Sequence, residues 1–348
     1  MKPRIVKVDP LNVDRIVLKD AAEIINNRGL VAFPTETVYG LGASALDPKA
    51  ASRIFEAKKR PLDDPLIVHI ADKKDLALLA KDIPAAAEKV IESFWPGPLT
   101  VILKKTEKVP DIVTAGLDTV AVRMPSNPVI RELIKAAGVP IAAPSANLFG
   151  KASPTTAQHV IDDLGESVDM VLDGGSTDIG IESTVIEFDG DKAVILRPGG
   201  VSVEDIRPIV REVVVGTGEG SEKTPGKYSK HYAPKANVVI VSNVKEQTEK
   251  VLSIADNLTK QGRKVGIFAR QEHEAAYTGR GYIVRVLGPG DEPKICAARL
   301  FQELREFDKE NVDMIVAEAI EEKGIGLGVM NRLKKAAGPD LWTNIEAQ

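Results

Sequence analysis

The sequence predicts an α/β protein of two domains, and two features of the chain carry that prediction. Helical and strand-like patterns alternate from about residue 14 to residue 202, and they alternate again from about residue 236. The segment between them is rich in Gly, Lys, Ser and Pro and lacks apolar periodicity, which is typical of a linker. We therefore predict a first domain over 1–202, a linker or lid over 203–235 and a second domain over 236–348.

Each element of the first domain has its own local signal. Asp14 caps an amphipathic helix that ends at Gly29, with Ile16 on its apolar face, and Asp47-Pro48 opens a second helix. A further helix opens at Asn127-Pro128, and strand patterns lie at 66–70, 140–143, 184–188 and 193–196. The last two strands flank an Asp-Gly-Asp turn and predict a hairpin. Crossovers together with a hairpin predict a mixed sheet.

The second domain reads as a smaller, Rossmann-like parallel α/β domain. Strand patterns at 238–241, 265–268, 283–286 and 314–317 alternate with helical patterns at 246–258, 293–307 and 331–337. The glycine-rich stretch GIGLG at 324–328 lacks dinucleotide-fingerprint spacing, so we expect a plain loop there.

Composition narrows the class of protein. The net charge of -4 over 348 residues argues against a protein that mainly coats nucleic acid, although a local basic face stays open. Cys296 is the only cysteine, which excludes a thiolate metal cluster, and the four histidines form no HExxH pair. No apolar run reaches membrane-spanning length, and no signal-peptide core follows Met1. We therefore expect a cytoplasmic protein that makes no membrane contact.

Five segments of the first domain carry residues suited to chemistry, each with a structural alternative. PTETVYGLG (34–42) follows a buried strand, and its glycines let backbone approach backbone or ligand, unless it is a simple capped turn. KKRP (58–61) lies at the C-terminal end of a helix, and we expect that end to be exposed. Its cations fit a phosphate clamp or merely complement the helix dipole. VAVRMP (120–125) places Arg123 at a strand end, where it grips a carboxylate or forms a surface ion pair.

The remaining two segments follow the same pattern. APSAN (143–147) with SPT (153–155) offers hydroxyls and a helix start to an anion, or forms a capping loop. EST (182–184) lies at the start of a strand whose hairpin partner ends in RPGG (197–200), which places a hydroxyl pair and Arg197 on neighbouring strands. Any one segment is a weak signal, whereas five in order within one domain are a strong one.

These motifs, in sequence and order, resemble the YrdC-type family, and HYAP (231–234) with the second domain resembles its two-domain threonylcarbamoyl-AMP synthases. The resemblance implies a twisted mixed sheet around a concave cavity. It also implies synthesis of threonylcarbamoyl-adenylate from L-threonine, bicarbonate and ATP with release of pyrophosphate. The product would pass to the transferase machinery that makes threonylcarbamoyladenosine in tRNA, with a weak tRNA contact allowed. Mg²⁺ is implied as cofactor, held mainly by the ATP phosphates, and its protein ligands are left open.

Carried over by motif, the implied site has two parts. The residues around L-threonine are Thr35, His69, Arg123, Ala143 and Ser183. The residues around ATP are Lys58, Arg60, Asp64, Thr119, Ser145, Asn147, Ser153, Arg197 and Tyr232, with Lys58 and Arg60 as the catalytic pair.

Two departures from the family pattern and two other functions accompany this assignment. The family often has Asn at the position of Asp64, and a carboxylate there requires a metal or a nearby cation. The linker also departs around Tyr228, which leaves Tyr232 as the firmer linker contact. A structured-RNA-binding module without catalysis stays an alternative. A carbamoyltransferase of the hydrogenase-maturation type is excluded because its zinc fingers need more cysteines than Cys296.

Overall fold

The chain is described by a computed structural model that covers residues 2–216, 224, 226, 228–243 and 245–339. It divides into two compact units. The first comprises Met1–Phe149 and Ser153–Lys227, and the second comprises Gly150–Ala152 and Tyr228–Gln348. The first unit thus continues past residue 202, where the sequence placed the start of the linker.

The elements of the first unit are, in chain order, β1 (Arg4–Lys7), α1 (Arg15–Asn26), β2 (Val31–Phe33), β3 (Gly40–Ser44), α2 (Pro48–Lys58), β4 (Ile67–His69), α3 (Leu76–Leu79), β5 (Ala80–Lys81), α4 (Ala85–Phe94), β6 (Leu99–Lys105), α5 (Asp111–Thr114), β7 (Thr119–Arg123), α6 (Pro128–Ala137), β8 (Ile141–Ala142), α7 (Ala157–Leu164), β9 (Met170–Asp173), β10 (Thr184–Asp189), β11 (Lys192–Arg197), α8 (Val203–Ile206) and β12 (Glu212–Val215). Short 3₁₀ helices lie at Lys73–Asp75 and Gly165–Ser167.

The strands of the first unit form one mixed sheet. Its order is β1-β9-β2-β3-β8-β4-β7-β6-β10-β11-β12, and β5 pairs with β6 off this path. β4 and β7 are parallel, whereas β6 and β7 are antiparallel, so the fold class predicted from the sequence is confirmed. β12 lies in the range predicted as linker, yet it pairs in parallel with β11. The stretch EVVV is β-branched enough to extend the sheet before the linker composition begins.

The helix starts follow the predicted capping chemistry. The side chain of Asp14 accepts a hydrogen bond from the backbone N–H of Ile16, and Asp47 caps α2 in the same way. Asn127 accepts from Val129 N at the start of α6, which ends at Gly138 in the left-handed conformation. Ile16, which the sequence placed on the apolar face of α1, is instead 73% exposed. It lies in the first turn of α1, and the buried face is formed by residues farther along the helix.

The central strands bury both faces of the sheet, with a different set of side chains on each. On one face, alternate residues such as Val68, Val101 and Val122 join the large apolar core beneath the helices. On the other face, a small separate apolar cluster consists of Ile67, Ile102, Ala121, Val185 and Leu196. Because side chains alternate along a strand, the polar residues two positions beyond this cluster lie on its face.

The second unit is a four-stranded parallel sheet with helices, as predicted. Its elements are β13 (Asn237–Val241), α9 (Gln247–Lys260), β14 (Val265–Arg270), a 3₁₀ helix (Gln271–His273), α10 (Glu274–Tyr277), β15 (Ile283–Gly288), α11 (Pro293–Glu310), β16 (Met314–Glu318) and α12 (Gly326–Ala337). The strand order is β13-β16-β14-β15.

The expected loop at 324–328 is wrong in its second half, because Gly326 and Gly328 are the first and third residues of α12. Both glycines are buried there, and a Cβ on Gly326 would lie 2.3 Å from the carbonyl oxygen of Glu321. Close backbone approach therefore explains why a helix starts with a residue of low helix propensity.

No helix within the described ranges is long and apolar enough to cross a lipid bilayer.

Candidate active site in the first unit

The register of the central strands brings four predicted or neighbouring polar residues together. His69 of β4 pairs with Arg123 of β7, and Thr100 of β6 pairs with Arg123 from the other side. β10 runs beside β6, with Thr184 opposite Leu99, so Ser183 directly precedes the paired region. The Ser183 and Thr100 hydroxyl oxygens are 2.7 Å apart. Residues on three neighbouring strands, and one directly before a fourth, therefore meet at one end of the apolar cluster.

The PTETVYGLG loop lies against Arg123. Thr35 Oγ1 donates to the carbonyl of Val38 at 2.6 Å and accepts from Thr37 N at 3.1 Å, so this hydroxyl shapes its own turn. Arg123 Nη1 donates to Thr37 Oγ1 at 2.9 Å. Thr35 is 3% exposed, which places it within the buried site rather than at the surface.

The glycines of this motif have a role different from the one predicted. A Cβ on Gly40 would lie 2.9 Å from the Phe33 ring, and a Cβ on Gly42 would lie 2.5 Å from the same ring and 2.7 Å from Ile141 Cγ2. The glycines therefore make room for the Phe33 side chain across the β2–β3 pair, so packing of this side chain explains both of them.

Arg123 is held by internal partners on every side. Its Nε donates to Gly97 O at 3.3 Å, and its Nη2 lies 2.7 Å from Glu36 Oε1 in an ion pair whose members are both at most 7% exposed at the side chain. The surface ion pair considered from the sequence is therefore a buried one. Nε and Nη1 thus donate hydrogen bonds to other parts of the chain, and Nη2 faces the carboxylate of Glu36.

His69 is buried beside this guanidinium. Burial and the positive charge of Arg123 lower the pKa of His69 to about 3, so the imidazole is neutral at physiological pH. Its Nδ1 has no hydrogen-bond partner among the described residues. A neutral ring with an unused nitrogen can donate or accept a single hydrogen bond to a polar ligand.

Ser183 and Arg197 join the two strands of the hairpin. Arg197 Nη2 donates to Ser183 O at 3.0 Å and to Ser183 Oγ at 3.2 Å, which fixes the hydroxyl that also contacts Thr100. A Cβ on Gly199 would lie 2.3 Å from Glu182 O, so only glycine permits the RPGG turn to lie this close to the preceding loop. Ser153 donates a short hydrogen bond to Glu182 Oε1 and is fully buried.

Lys58 is the largest departure from the sequence-based expectation. The sequence placed it at an exposed helix end, but Lys58 is 1% exposed and donates to the carbonyls of Ser145 (2.5 Å) and Asn147. The APSAN loop therefore covers the end of α2. Burial and the nearby charge of Arg60 hold the pKa of Lys58 well below its usual range. Its neighbour Lys59 forms the left-handed C-cap of α2 and remains exposed.

Arg60 is also buried, at 8% exposure, which corrects the same expectation. Its Nη2 lies 2.9 Å from Asp64 Oδ2 and donates to Pro65 O at 2.8 Å. Asp64, where the family often has Asn, thus has the nearby cation that the sequence argument required. The other carboxylate oxygen of Asp64 accepts from Gly226 N at 3.2 Å, so a residue of the predicted lid reaches this loop within the first unit.

The remaining site candidates, Ser145 and Asn147 of the ATP set, Ala143 of the L-threonine set and Thr119 of the ATP set, lie in the 143–147 loop or on β7. Ser145 Oγ donates to Asn147 Oδ1 at 2.5 Å, and Ala143 N donates to Ile67 O at 2.9 Å beside the apolar cluster. Thr119 begins β7 and pairs with Lys104, four residues before Arg123. Four residues preserve the face of a strand, so Thr119 and Arg123 share the face that carries the apolar cluster.

Tyr232, the predicted linker contact, belongs to the second unit. It is 2% exposed, its ring centroid lies 5.6 Å from that of Phe301, and the Arg332 guanidinium lies 5.5 Å from it. Its backbone has φ of +61°, a strained value for a bulky residue. Tyr228 begins the second unit and is partly buried. Pro225 and Lys227 of the predicted lid, like 217–223, lie outside the described residues.

Sequence reasoning missed four polar residues that the fold brings into the site. They are Glu36, Thr37, Thr100 and Glu182, and all four are buried. Glu36, Thr37 and Glu182 stand inside the motifs themselves, but their partners follow only from contacts with distant parts of the chain. Thr100 has no local signal, because its position follows only from the β6–β7 register.

Within the part of the chain that the structure describes, no group of three or more His, Cys, Asp or Glu side chains is placed to hold a metal ion. Asp64 is paired with Arg60, Glu36 with Arg123, and Glu182 accepts from Ser153.

Comparison with known proteins assigns both parts of the chain. Residues 23–199 match the Sua5–YciO–YrdC family, which carries the description Telomere recombination, and residues 201–338 match the threonylcarbamoyl-AMP synthase C-terminal domain. The chain is 46% identical to the threonylcarbamoyl-AMP synthase of Pyrococcus abyssi, covering 92% of this chain and 94% of the relative. It is 43% identical to that of Bacillus subtilis, covering 95% of each.

Solved structures agree with this assignment. The P. abyssi Sua5 structure complexed with L-threonine matches with a TM-score of 0.90 at 44% identity, over 96% of this chain and 97% of that one. Escherichia coli YciO matches with a TM-score of 0.51 at 26% identity, over 60% of this chain and 99% of that one. The chain therefore belongs to the Sua5–YciO–YrdC family and, within it, to the threonylcarbamoyl-AMP synthases that carry the C-terminal domain.

Proposed function

We propose that this chain forms threonylcarbamoyl-adenylate from L-threonine, bicarbonate and ATP and releases pyrophosphate. The observation that carries the proposal is the burial of two sets of polar and charged side chains in the first unit. One set centres on Arg123, His69 and Ser183, and the other on Lys58 and Arg60. Charged groups are rarely buried in such numbers within one domain unless they are paired or a ligand uses them.

The Arg123 set fits an amino acid with a small hydroxylated side chain. Arg123 Nη2 would meet the carboxylate, and neutral His69 with the Ser183 and Thr35 hydroxyls would meet the remaining polar groups. Ala143, which is 4% exposed, would offer a small apolar contact to the threonine methyl group. L-Threonine satisfies both requirements, and the P. abyssi relative was crystallised with L-threonine.

The Lys58 set fits the phosphates of ATP. Lys58 and Arg60 supply two cations from one helix end, and Arg197 supplies a third beside Ser183. Ser145, Asn147 and Ser153 add hydroxyl and amide groups that bind phosphate or sugar oxygens. The apolar cluster of Ile67, Ile102, Ala121, Val185 and Leu196, with Thr119 on the same face, would receive the adenine base.

Catalysis on this proposal is positioning and charge neutralisation. The carbamate oxygen of N-carboxythreonine attacks the α-phosphorus of ATP, and the bond to the β-phosphate oxygen breaks as pyrophosphate leaves. Lys58, Arg60 and Arg197 offset the charge that gathers on the α-phosphate and on the leaving group. Mg²⁺, held by phosphate oxygens rather than by a dedicated protein site, would neutralise further phosphate charge.

The segment 216–234 is proposed to cover the nucleotide and shield the product from water. Two observations within the first unit support this proposal: Gly226 N donates to Asp64 Oδ1, and Thr224 is 4% exposed. Tyr232 remains a proposed ATP contact on the strength of the resemblance. The adenylate product would pass to the transferase that modifies tRNA, since a mixed anhydride hydrolyses unless it is consumed.

The experiment that tests the function follows pyrophosphate. Purified full-length protein with Mg²⁺ and ATP should release pyrophosphate only when L-threonine and bicarbonate are both present. Omitting either one is the control. Release that is indifferent to threonine would contradict the proposal, whereas salt-sensitive tRNA binding without turnover would favour an RNA-binding module.

A further inference from the structure

We propose that Glu36 binds the α-ammonium group of L-threonine and accepts its proton, which frees the amine to attack bicarbonate. The inference rests on the proposed function and adds a residue that the resemblance does not supply. It concerns the step before the adenylate forms, in which threonine becomes a carbamate.

The carboxylate of Glu36 lies in the site without the hydrogen bonds that its burial demands. Glu36 is 6% exposed, between Thr35 and Thr37 in the loop after β2. Neither of its carboxylate oxygens accepts a hydrogen bond within the described part of the chain. Buried carboxylates almost always accept several, and exceptions mark groups that wait for a ligand or a water molecule. Oε1 lies 2.7 Å from Arg123 Nη2, whereas Oε2 is available to a donor that the described part of the chain does not provide.

Among the described residues, Arg123 is the only charged group close to the Glu36 carboxylate. It is also the group that we expect to bind the carboxylate of the substrate. Arg123 Nη2 lies 2.7 Å from Glu36 Oε1, and it too has no aligned hydrogen bond there. An α-amino acid carries its carboxylate and its ammonium group on one carbon atom. It can therefore enter this ion pair with its carboxylate on Nη2 and its ammonium group on Glu36. Every buried charge then keeps an opposite partner, which a buried site requires.

The chemistry of carbamate formation needs a proton acceptor at this position. The α-ammonium group of a free amino acid is protonated at neutral pH, so it has no lone pair to attack carbon. Transfer of one N–H proton to Glu36 exposes the lone pair, and the nitrogen forms a bond to the bicarbonate carbon. The C–O bond then breaks, and the departing hydroxide takes the proton back from Glu36 as water. A second N–H proton is lost to solvent, leaving the carbamate and an unchanged carboxylate.

Other groups nearby are less suited to this role. His69 is adjacent, but burial and the positive charge of Arg123 lower its pKa, so the neutral imidazole carries no negative charge to hold the ammonium group. The Thr35 hydroxyl already donates to Val38 O. Glu182 accepts from Ser153, and Asp64 is paired with Arg60. Glu36 is the carboxylate in contact with Arg123.

Binding measurements separate an ammonium contact from a merely structural role. The pair of ligands is L-threonine and (2S,3R)-2,3-dihydroxybutanoate, which keeps the carboxylate, hydroxyl and methyl groups and replaces the ammonium group with a hydroxyl. Wild-type protein should prefer threonine by roughly 10- to 100-fold, the range for a hydrogen bond to a charged group. Glu36→Gln should lose most of that preference. Arg123→Lys is the matched control, because it should weaken both ligands alike.

Kinetics test the proton transfer itself. At saturating threonine and ATP, Glu36→Gln should lower pyrophosphate release by about 10²-fold or more, as expected for loss of a general base. Glu36→Asp keeps the carboxylate one methylene farther away, so it should retain measurable turnover and part of the preference for threonine. It also serves if the Gln variant fails to fold. His69→Gln should leave the ligand preference close to that of the wild type.

The outcomes are decisive in both directions. Equal loss of both ligands in Glu36→Gln, or an unchanged preference in Glu36→Asp, would make Glu36 a support for Arg123 and overturn the proposal. Loss of preference in His69→Gln instead would move the ammonium site to the imidazole. Since all variants are compared with wild-type turnover measured first, a wild-type protein without turnover would overturn the proposed function itself rather than the role of Glu36.

Discussion

Two buried glutamates, one in each unit, have opposite surroundings. Glu318 ends β16 and is fully buried, yet it accepts from Tyr277 OH at 2.7 Å, from Arg270 N at 2.6 Å, and lies 2.7 Å from His273 Nδ1. Glu36 is buried to nearly the same degree and accepts no hydrogen bond from the described residues. The chain therefore supplies hydrogen-bond donors to the Glu318 carboxylate, whereas its described residues supply none to the Glu36 carboxylate.

The difference teaches how to separate structural polar groups from functional ones in a single fold. A satisfied buried network rigidifies its surroundings and needs no ligand, whereas an unsatisfied one costs stability that a ligand restores. Glu318 in the second unit belongs to a satisfied network, whereas Glu36 and His69 in the first unit belong to an unsatisfied one. The predictions below test whether this division holds.

The largest effect is expected at the phosphate clamp. Lys58→Met should lower turnover on the order of 10²-fold, because a cation that meets charge developing on phosphate is lost. It should also cost stability, since the carbonyls of Ser145 and Asn147 lose their donor. Steady-state pyrophosphate release and thermal unfolding measure the two effects. Lys59→Gln, at the exposed neighbour, is the matched control, and a loss of turnover there as large as at Lys58 would contradict the prediction.

At Glu318 we expect a loss of stability without a loss of turnover. Glu318→Gln should destabilise the second unit by about 2 kcal/mol, because an amide cannot accept from all of the donors that now converge on the carboxylate. Denaturant unfolding measures this change in free energy. Pyrophosphate release by the folded protein should stay near the wild-type value. If turnover fell while stability held, Glu318 would belong to a functional site and the comparison with Glu36 would fail.

Much of the fold could be predicted from the sequence because its signals are local. The caps at Asp14, Asp47 and Asn127 each concern a side chain and a backbone N–H two residues away. The β10–β11 hairpin follows from a two-residue turn between matched strands. Such features need no knowledge of distant partners, and they were predicted correctly.

The candidate site could be predicted only as a set of motifs, since its detailed geometry depends on distant contacts. Lys58 looks like an exposed helix end from its neighbours, and it is buried because the 143–147 loop covers it. Glu36 looks like one polar residue in a polar loop, and only the fold brings it to Arg123. The local sequence pattern predicts the helix or strand to which a residue belongs. Its burial depends on the distant segments that pack against that helix or strand.

A smaller effect is expected in the segment 216–234. If it covers the nucleotide, threonine and ATP together should slow tryptic cleavage there by roughly tenfold, because ligands stabilise the state they bind. Trypsin cleaves after the lysines that the sequence carries in this segment, and timed electrophoresis follows the products. Asp64→Ala removes the acceptor of Gly226 N and should lose part of the protection. Equal cleavage with and without ligands would make the segment a passive tether.

The smallest expected effect is the uptake of protons when ATP binds, which should amount to less than one proton per molecule. Burial and Arg60 depress the pKa of Lys58, and a phosphate anion in contact with the ammonium group would raise it again. The complex then holds more protons than the free protein. ATP binding should therefore take up protons, and its affinity should fall as pH rises from neutrality toward the ordinary lysine value of 10.5. Titration calorimetry in two buffers of equal pH but different ionisation enthalpy counts those protons.

Lys58→Met is the control for this measurement, because it removes the titrating group and should abolish the uptake that is specific to the wild type. Uptake that persisted unchanged in Lys58→Met would assign the proton to the nucleotide or to another residue. Uptake that was absent from the wild type would mean that Lys58 is already charged in the free protein. A charged Lys58 would be stabilised before ATP arrives by its two carbonyl acceptors. It would then resemble Glu318, a buried group completed by the chain, rather than Glu36, and the division drawn between the two glutamates would not extend to the cations of the site.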